Sequence, residues 1–464
     1  MTTLWEKDQD AENPNVNLAP LTACVDDNDH LQIGGCSVQS LVEQHGSPLY
    51  IVDERTVRQS CQAYRAALSK YYPGKSQLFY ASKAHCSLAV VSLVYSCGAG
   101  VDVVSDGELM TCIRANIPGK DIIYHGNNKS LEEVQLGVEH GVTFVLDNWH
   151  ELNLIQQVTE KLGKTANVCV RLTPGIECHT HEYVQTGHLD SKFGFDPDQV
   201  DELLQRLLGL QERIELVGFH GHIGSQIFEL QPHRDLATFM VGAVLKSRKM
   251  GFTTVRDLNM GGGLGIRYVP TDDPPNIDAW VRTVCEAVVH EFSKCGSDSG
   301  CDSSLPRLIC EPGRSIVGTS SVTAYRIGST KSVPGVRQYV SVDGGMSDNP
   351  RPITYESSYT AVLCRSATAP GVDDVRVTGK HCEEGDILLR NVSLPEHQAD
   401  DVLVMLASGA YHMSMASNYN RVMRPATVLL TGDGSVDVIQ RRETYDDILQ
   451  RDVIPERLAK ACAT

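Results

Sequence analysis

Short apolar runs alternate with amphipathic segments through the middle of the chain, from about residue 77 to residue 312. A continuous apolar run is typical of a buried strand, and the helix-period stretches between the runs predict helical crossovers. Eight such units indicate an α/β fold and match a closed (β/α)8 TIM barrel, although an open doubly wound sheet has the same pattern. The predicted strands lie near residues 77–82, 100–104, 121–124, 143–147, 167–172, 216–222, 256–260 and 307–310.

The pattern changes on both sides of this region. After residue 312 the apolar runs become short and alternate with polar residues, which predicts antiparallel strands of a second, β-rich domain. Short strand-like segments before residue 47 have no role in a barrel, so we expect them to join that domain. The polar N-terminus predicts disorder. The predicted organisation is a disordered tail at 1–19, a barrel at 48–312, and a β-rich domain formed by both chain ends, 20–47 and 313–464.

The composition is that of an ordinary globular protein with a sizeable core: 464 residues, 41% hydrophobic and 21% charged. The net charge of −17 disfavours nucleic acid or an anionic membrane as a partner, because both are negative as well. No apolar stretch reaches the roughly 20 residues that span a bilayer. The acidic N-terminus predicts neither a signal peptide nor a transit peptide. Fifteen cysteines without a CxxC pair indicate free, mostly buried thiols. We therefore expect a cytoplasmic protein with neither a nucleic-acid nor a membrane partner.

Polar residues gather where the predicted strands end, which in a barrel is the edge that carries the active site. Lys83 follows the first strand, a glycine run at 261–265 follows the seventh, and Glu311 follows the eighth. Singly, such a lysine is usually solvated and such a glycine run can be only a tight turn. Together they favour a cofactor site, because pyridoxal phosphate requires a Schiff-base lysine, a nest of backbone amides for its phosphate and a carboxylate for its ring nitrogen.

These residues lie in motifs that resemble the diaminopimelate decarboxylases, a family of alanine-racemase-like, fold-type III pyridoxal-phosphate enzymes. The resemblance runs from about residue 20 to residue 455. It implies a barrel with a β-rich domain from both chain ends, a head-to-tail homodimer with shared active sites, and decarboxylation of meso-2,6-diaminopimelate to L-lysine and CO2. The nine motifs are, in order, YASKA, VDVVSDGEL, TGHLDSKFGF, GFHGHIGSQ, GGGLGIRY, EPGRS, VDGGMSDNPRPITY, GKHCEEGD and GAYHMSMASNYN.

The resemblance also implies which residues contact the cofactor. Lys83 would carry it as a Schiff base, and we expect burial beside Phe79 and Ala81 to favour a nucleophilic amine. Glu311 would face the ring nitrogen and keep it protonated, which suits decarboxylation rather than racemisation. His222 would stack on the ring. The other implied contacts, mainly to the phosphate, are Ser225, Gly262, Gly263, Arg314 and Tyr411.

A substrate site and a proton donor follow from the same resemblance. Guanidinium groups suit a carboxylate and a carboxylate suits an ammonium, so the matched residues can bind the end of an amino acid that does not react. Cys382 matches the residue that a partner subunit presents to the cofactor, where a thiol can protonate the carbon that has lost CO2. The matched substrate positions are Arg314, Arg351, Tyr355, Glu383 and Tyr411.

Three alternatives remain open from the sequence. A decarboxylase of ornithine, lysine, arginine or a carboxylated polyamine has the same fold, but such enzymes commonly have Asp where Glu383 follows the cysteine. A racemase is disfavoured by Glu311, and a cofactor-less regulatory homologue by the retention of Lys83 and Cys382 beside it.

Two local features complete the expectations. The family usually has Gly where Asp106 stands, and this change could alter the loop near the cofactor. His179 and His181 could suggest a metal site, but we expect them to belong to a loop over the active site that includes TGHLDSKFGF, and we expect no metal.

Overall fold

The computed structural model describes residues 10–176, 191–294 and 302–459. Eight parallel strands close into a barrel in which each strand is hydrogen-bonded to the next and the eighth is hydrogen-bonded to the first. The predicted (β/α)8 barrel is therefore confirmed, and the open sheet is excluded. In chain order the strands are Ser76–Ala81, Gly100–Val103, Ile122–Tyr124, Thr143–Leu146, Ala166–Arg171, Ile214–His220, Asp257–Asn259 and Arg307–Cys310.

Helices surround the barrel because each has one apolar face to bury. Glu54–Tyr71 precedes the first strand and closes the ring beside Ile277–Ser293, where Tyr64 meets Trp280 edge-on at a centroid distance of 6.0 Å. Ser, Asn or Asp side chains cap most of the helix N-termini, which satisfies backbone N–H groups there. The remaining barrel helices are Leu88–Ser96, Asp106–Arg114, Leu131–His140, Trp149–Leu162, Val200–Leu208, Gln231–Lys249 and the short Arg314–Val317.

The inside of the barrel is a packed core rather than a pore. Side chains alternate between the inside and the helix layer along each strand, so the interior cluster draws one residue from each of six strands. Its members are Phe79, Ile123, Val145, Cys169, Val217 and Ile309.

A nine-stranded sheet forms the β-rich domain, and its N-terminal part extends further along the chain than the sequence indicates, to residue 53. Leu49–Asp53 pairs antiparallel with Ser321–Val333 and parallel with Ala426–Leu430. The predicted barrel boundary at residue 48 is therefore wrong, because a fully buried strand has the same apolar pattern in either domain. The other strands are Arg337–Val342, Ala361–Leu363, Asp373–Thr378, Ile387–Leu394, Val402–Met405 and Val436–Gln440, and the domain's helices are Arg351–Tyr355, Tyr445–Leu449 and Glu456–Ala459.

The N-terminal segment packs on this domain. The backbone N–H of Leu31 donates to the carbonyl of Cys364 at 2.8 Å, and Leu31 and Ile33 belong to one apolar cluster with residues of the nine-stranded sheet. The elements of the segment are the strands Cys24–Val25, Leu31–Ile33 and Cys36–Ser37 and the helix Val38–His45.

The predicted disordered tail at 1–19 is wrong for residues 10–19. Pro14–Val16 forms a 3-10 turn against the barrel, and the buried Asn15 amide donates to the carbonyls of Gly265 at 3.2 Å and Pro275 at 2.9 Å. A polar segment held by hydrogen bonds to distant backbone groups has the composition of a disordered one, so the sequence pattern alone does not separate the two. Residues 1–9 lie outside the described part of the chain.

Among the described helices, none is long and apolar enough to cross a membrane. The cytoplasmic location and the lack of a nucleic-acid partner stay predictions.

Candidate active site

A cavity of about 330 Å³ opens at the carboxyl ends of the barrel strands. The strand ends bring its walls together, as the barrel architecture requires. Asp102, His125, Arg171, Phe193 and His220 line it in addition to predicted site residues. The predicted residues that line the cavity are Lys83, His222, Ser225, Gly262, Gly263, Glu311, Arg314 and Tyr411.

Lys83 enters the cavity from the 3-10 turn Ser82–Ala84, directly after the first strand. Its side chain is exposed, which differs from the expected burial beside Phe79, because Phe79 points into the barrel interior. Asp102 lies near the amine. Burial raises the pKa of Asp102 to about 6, while the attraction of His125 and Lys83 opposes that rise.

Glu311 lies on the floor of the cavity and is 5% exposed. One carboxylate oxygen accepts from the Asn259 amide at 2.5 Å and lies 3.1 Å from His125 Nε2; the other lies 3.2 Å from His220 Nε2. Burial alone would raise the pKa of Glu311, but the two histidines hold it well below its usual range. Burial lowers the pKa of His220 to about 3, so near neutral pH a neutral imidazole faces an ionised carboxylate.

The glycine run presents bare backbone to the cavity. A Cβ on Gly262 would lie 2.5 Å from the carbonyl oxygen of Glu311, and Gly263 has a φ of +118° that side chains rarely adopt. The N–H of Gly262 donates to His222 Nδ1 at 3.3 Å. This contact fixes which ring nitrogen of His222 carries its proton, and burial lowers the pKa of His222 well below its usual range.

Arg314 forms a cationic wall at the other side of the cavity. Its Nε and Nη2 donate to the hydroxyl of Ser225 at 3.1 and 3.0 Å, and its Nη1 donates to the hydroxyl of Tyr268 at 2.5 Å. The guanidinium also lies over the Tyr411 ring, 4.8 Å from the centroid. A buried guanidinium beside a hydroxyl and bare amides is a site for an anion.

Arg351 lies behind this wall and does not line the cavity. Its Nε donates to the hydroxyl of Tyr359 at 2.7 Å, and its guanidinium lies 5.7 Å from the Tyr411 ring centroid and 5.3 Å from that of Tyr355. The structure thus brings the predicted Arg351 and Tyr355 together next to the cavity. Tyr411, which lines the cavity, lies beside Arg351.

Cys382 and Glu383 lie on an exposed turn and do not reach the cavity of their own chain. The turn is well held. Asp386 accepts from the N–H groups of His381 at 2.9 Å and Met346 at 2.7 Å, and the N–H of Cys382 donates to Asn420 Oδ1 at 3.1 Å.

Sequence reasoning assigned no site role to several residues that the structure places in or beside the cavity, among them Asn259, Tyr268 and His125. Asn259 interrupts an apolar run just before the glycines, and Tyr268 ends the GGGLGIRY motif; both were available signals. His125 directly follows the third strand, where a polar residue indicates the active edge.

Asp106 does not line the cavity. It is exposed in the first turn of Asp106–Arg114, where a negative side chain interacts favourably with the helix N-terminus. His179 and His181 lie outside the described residues. In the described ranges, His125, His220 and Glu311 offer possible metal-ligand atoms within 4.8 Å of one another, but both histidines already contact the carboxylate. The absence of a metal stays a prediction.

The groups of the cavity fit pyridoxal phosphate. An amine opens into it at Lys83, an ionised carboxylate lies at Glu311, and an imidazole lies at His222. The bare backbone of Gly262, where no Cβ fits, and the guanidinium of Arg314 suit a phosphate.

Comparisons with known proteins agree with this geometry. Residues 54–318 match the family described as "Pyridoxal-dependent decarboxylase, pyridoxal binding domain". The chain is 49% identical to diaminopimelate decarboxylase of Synechocystis sp. over 96% of this chain and 95% of that one, and 41% identical to that of Bacillus subtilis over 91% and 95%. The crystal structure of diaminopimelate decarboxylase from M. jannaschii in co-complex with L-lysine is 32% identical, covers 95% of this chain and 100% of its own, and superimposes with a TM-score of 0.86.

Proposed function

Because this chain belongs to the diaminopimelate decarboxylase family of pyridoxal-phosphate enzymes, we propose that it converts meso-2,6-diaminopimelate into L-lysine and CO2, the last step of lysine biosynthesis. It is a pyridoxal-phosphate-dependent carboxy-lyase. The observation that carries the proposal is an ionised, buried Glu311 on the floor of a cavity into which Lys83 opens. When bound, the cofactor draws electrons from the bond to the departing carboxylate, and an anion at its ring nitrogen strengthens that pull.

The residues of the cavity divide the task of holding the cofactor. Lys83 Nζ would hold it covalently, and Glu311 would accept a hydrogen bond from the ring nitrogen. His222, whose Nδ1 is already occupied by the Gly262 N–H, would pack on the ring face. Arg314 and Ser225 would bind the phosphate together with the backbone amide of Gly263, and the bare backbone of Gly262 would leave room for it.

Substrate contacts and the proton donor require a second subunit in this proposal. Arg351 would bind the distal carboxylate and Glu383 the distal ammonium, with Tyr355 and Tyr411 beside them. The thiol of Cys382 would give a proton to the carbon that has lost CO2. Cys382 and Glu383 are exposed and do not line the cavity of their own chain, so we propose a homodimer whose subunits exchange this turn. The lysine complex of the M. jannaschii relative supports an amino-acid ligand.

The other basic amino acids are the alternative substrates, and they are not favoured. A longer carboxylate, Glu383, follows the cysteine where those decarboxylases commonly have Asp, and Arg351 suits a distal carboxylate that ornithine and lysine lack. A cofactor-less binding homologue is disfavoured by the fit of the cavity.

The test is an assay of the purified holoenzyme. The expected results are visible absorbance from the Schiff base and equal amounts of CO2 and L-lysine from meso-diaminopimelate, with at least a hundredfold lower turnover of ornithine and lysine. Release of CO2 from ornithine but not from diaminopimelate would refute the proposed substrate. Absence of the absorbance would refute the proposal that the protein is a pyridoxal-phosphate enzyme.

A further inference from the structure

Two cysteines meet an arginine at the end of the barrel opposite the cavity. Cys61 is buried in the helix Glu54–Tyr71, and Cys97 is the residue at which Leu88–Ser96 ends. Cys61 and Cys97 lie at the contact between the two helices, where Arg58, on the helix of Cys61, reaches the Cys97 sulfur. Leu88–Ser96 begins at the cavity end of the barrel and runs away from it, so Cys97 lies far from Lys83.

Two arginines lie beside Cys97, and hydrogen bonds fix their positions. Arg58 Nη1 lies 3.6 Å from Cys97 Sγ, and Arg65 Nη1 donates to the carbonyl of Cys97 at 2.8 Å. The Arg58 guanidinium is held by Glu54 at 2.6 Å and donates to the hydroxyl of Ser96 at 3.2 Å. Arg58 and Cys61 are three residues apart on one helix, so both face the end of the neighbouring helix.

This arrangement shifts the pKa values of the two thiols in opposite directions. The neighbouring Cys61 thiol lowers the pKa of Cys97, burial opposes that change, and the charge of Arg58 reinforces it. The neighbouring Cys97 and burial raise the pKa of Cys61. Cys97 is only half-buried, so a small oxidant reaches the more acidic thiol first.

We propose that Cys97 and Cys61 form a peroxide-sensitive thiol pair. The Cys97 thiolate attacks one oxygen of hydrogen peroxide, the O–O bond breaks, and the released hydroxide takes a proton to become water. Cys97 is then a sulfenic acid. The Cys61 sulfur attacks the Cys97 sulfur, the S–O bond breaks, and the thiol proton leaves with the hydroxyl as a second water. Two thiols are thereby oxidised to one disulfide, and one peroxide is reduced to two waters.

Cys36 is the matched internal control. It is also half-buried, but carbonyl oxygens of Gly34 and Gly434 surround its sulfur at 3.9 and 3.5 Å. Burial and the charge of Asp433 raise the pKa of its thiol. If partial exposure alone set the reactivity, Cys36 and Cys97 would react at equal rates. The proposed site instead predicts that Cys97 reacts faster than Cys36.

Alkylation of the holoenzyme tests the reactive thiol. With iodoacetamide at pH 7 and peptide mass spectrometry, we expect Cys97 to react at least about tenfold faster than Cys36. Arg58→Met is expected to reduce that ratio several-fold, and Arg58→Lys to keep most of it. Equal rates at Cys97 and Cys36 would overturn the proposal.

Oxidation of the holoenzyme tests the pair. Brief treatment with hydrogen peroxide is expected to yield a Cys61–Cys97 cross-linked peptide that dithiothreitol removes. In Cys61→Ser, Cys97 is expected to remain a sulfenic acid that dimedone traps. A wild-type digest without the cross-linked peptide, or a Cys61→Ser protein without the dimedone adduct at Cys97, would contradict the proposal.

Discussion

At the scale of single residues, two carboxylates of one cavity differ because their neighbours differ. Glu311 accepts from Asn259 and contacts His125 and His220, and these partners outweigh the cost of burial. Asp102 is equally buried, but its Oδ1 has no hydrogen-bond partner in the described part of the chain, and burial raises its pKa to about 6. Glu311 is therefore the permanent anion of the cavity.

Replacement of that anion is a direct test. Glu311→Gln keeps the shape of the side chain and removes its charge, so we expect the cofactor to stay bound through Lys83. Turnover should fall by roughly 10²–10³-fold, the cost typical of losing one preorganised electrostatic partner. The measurement is kcat with diaminopimelate, normalised to the Schiff-base absorbance. Glu291→Gln, near the end of the helix Ile277–Ser293 and outside the cavity, is the control, and a loss of less than twofold in Glu311→Gln would contradict the role of the charge.

At the scale of elements, the turns after the strands decide what the cavity can hold. The glycine turn after Asp257–Asn259 approaches the backbone of the eighth strand end so closely that no side chain fits at Gly262. The turn after the first strand instead directs Lys83 outward, into the cavity. The ends of the seventh and first strands, on either side of the eighth, thus supply a bare backbone surface and a reactive amine within one site.

A single methyl group tests the glycine turn. The Cβ of Gly262→Ala would meet the Glu311 carbonyl oxygen at 2.5 Å, and this contact is with backbone, which cannot rotate aside as a flexible side chain could. We expect at least about tenfold weaker binding of pyridoxal phosphate in titrations of the apoprotein, because the displaced turn no longer presents its amides. Gly242→Ala, inside the helix Gln231–Lys249 with open space around it, should bind the cofactor normally and gain about 0.5–1 kcal/mol of stability. Unchanged affinity in Gly262→Ala would contradict this account.

At the scale of the whole molecule, the question is whether each active site is built from one subunit or from two. The exposed Cys382 turn, which does not line the cavity of its own chain, allows an experiment that separates these possibilities. Lys83→Ala and Cys382→Ala are each expected to lose nearly all turnover, and Cys382→Ala should keep the cofactor. The two variants are then unfolded, mixed in equal amounts and refolded, so that half of the dimers contain one subunit of each variant. If the sites are shared, each such dimer has one site that combines an intact Lys83 with the partner's intact Cys382. Turnover should then return to about one quarter of the wild-type value. Mixed preparations as inactive as the single variants would refute a shared site.

Folding of the whole molecule also responds to pH through buried histidines. His233 is 1% exposed, packs against Trp280 at a centroid distance of 5.3 Å, and has its pKa lowered to about 3 by burial. The unfolded chain binds this proton near pH 6.5, whereas the folded chain does not. The stability contributed by His233 is therefore fully present above pH 6.5 and is lost as the pH falls toward 3.

Urea unfolding at several pH values tests this linkage. Between pH 6 and pH 5, the free energy of unfolding of His233→Met should fall less steeply than that of the wild type, by about 1.4 kcal/mol per pH unit. The slope is the readout, because the substitution itself changes the absolute stability. Exposed His290→Gln should keep the wild-type slope. Identical slopes for the wild type and His233→Met would show that His233 is not neutral in the folded protein.

Features of the fold and of the site could be predicted from the sequence where they depend on neighbouring residues, and could not where they depend on residues far apart in the chain. The barrel strands are continuous apolar runs, so they were recognisable locally, and Lys83 and Glu311 directly follow two of them. Leu49–Asp53 has the same signal but pairs with Ser321–Val333, about 270 residues away. Asn15 looks like part of a polar tail until its bond to the Gly265 carbonyl is seen.

The sequence by itself determined the eight strands, the order of the motifs and eight of the residues that line the cavity, because strand periodicity and strand ends are local properties. Only the tertiary structure decided that the barrel closes, that Asn259, His125 and His220 keep Glu311 ionised, and that Cys382 does not line the cavity of its own chain. Those outcomes depend on contacts between distant segments, and burial and pairing across space set the charges. The same reason applies to Cys61 and Cys97, which the sequence shows only as two of fifteen cysteines.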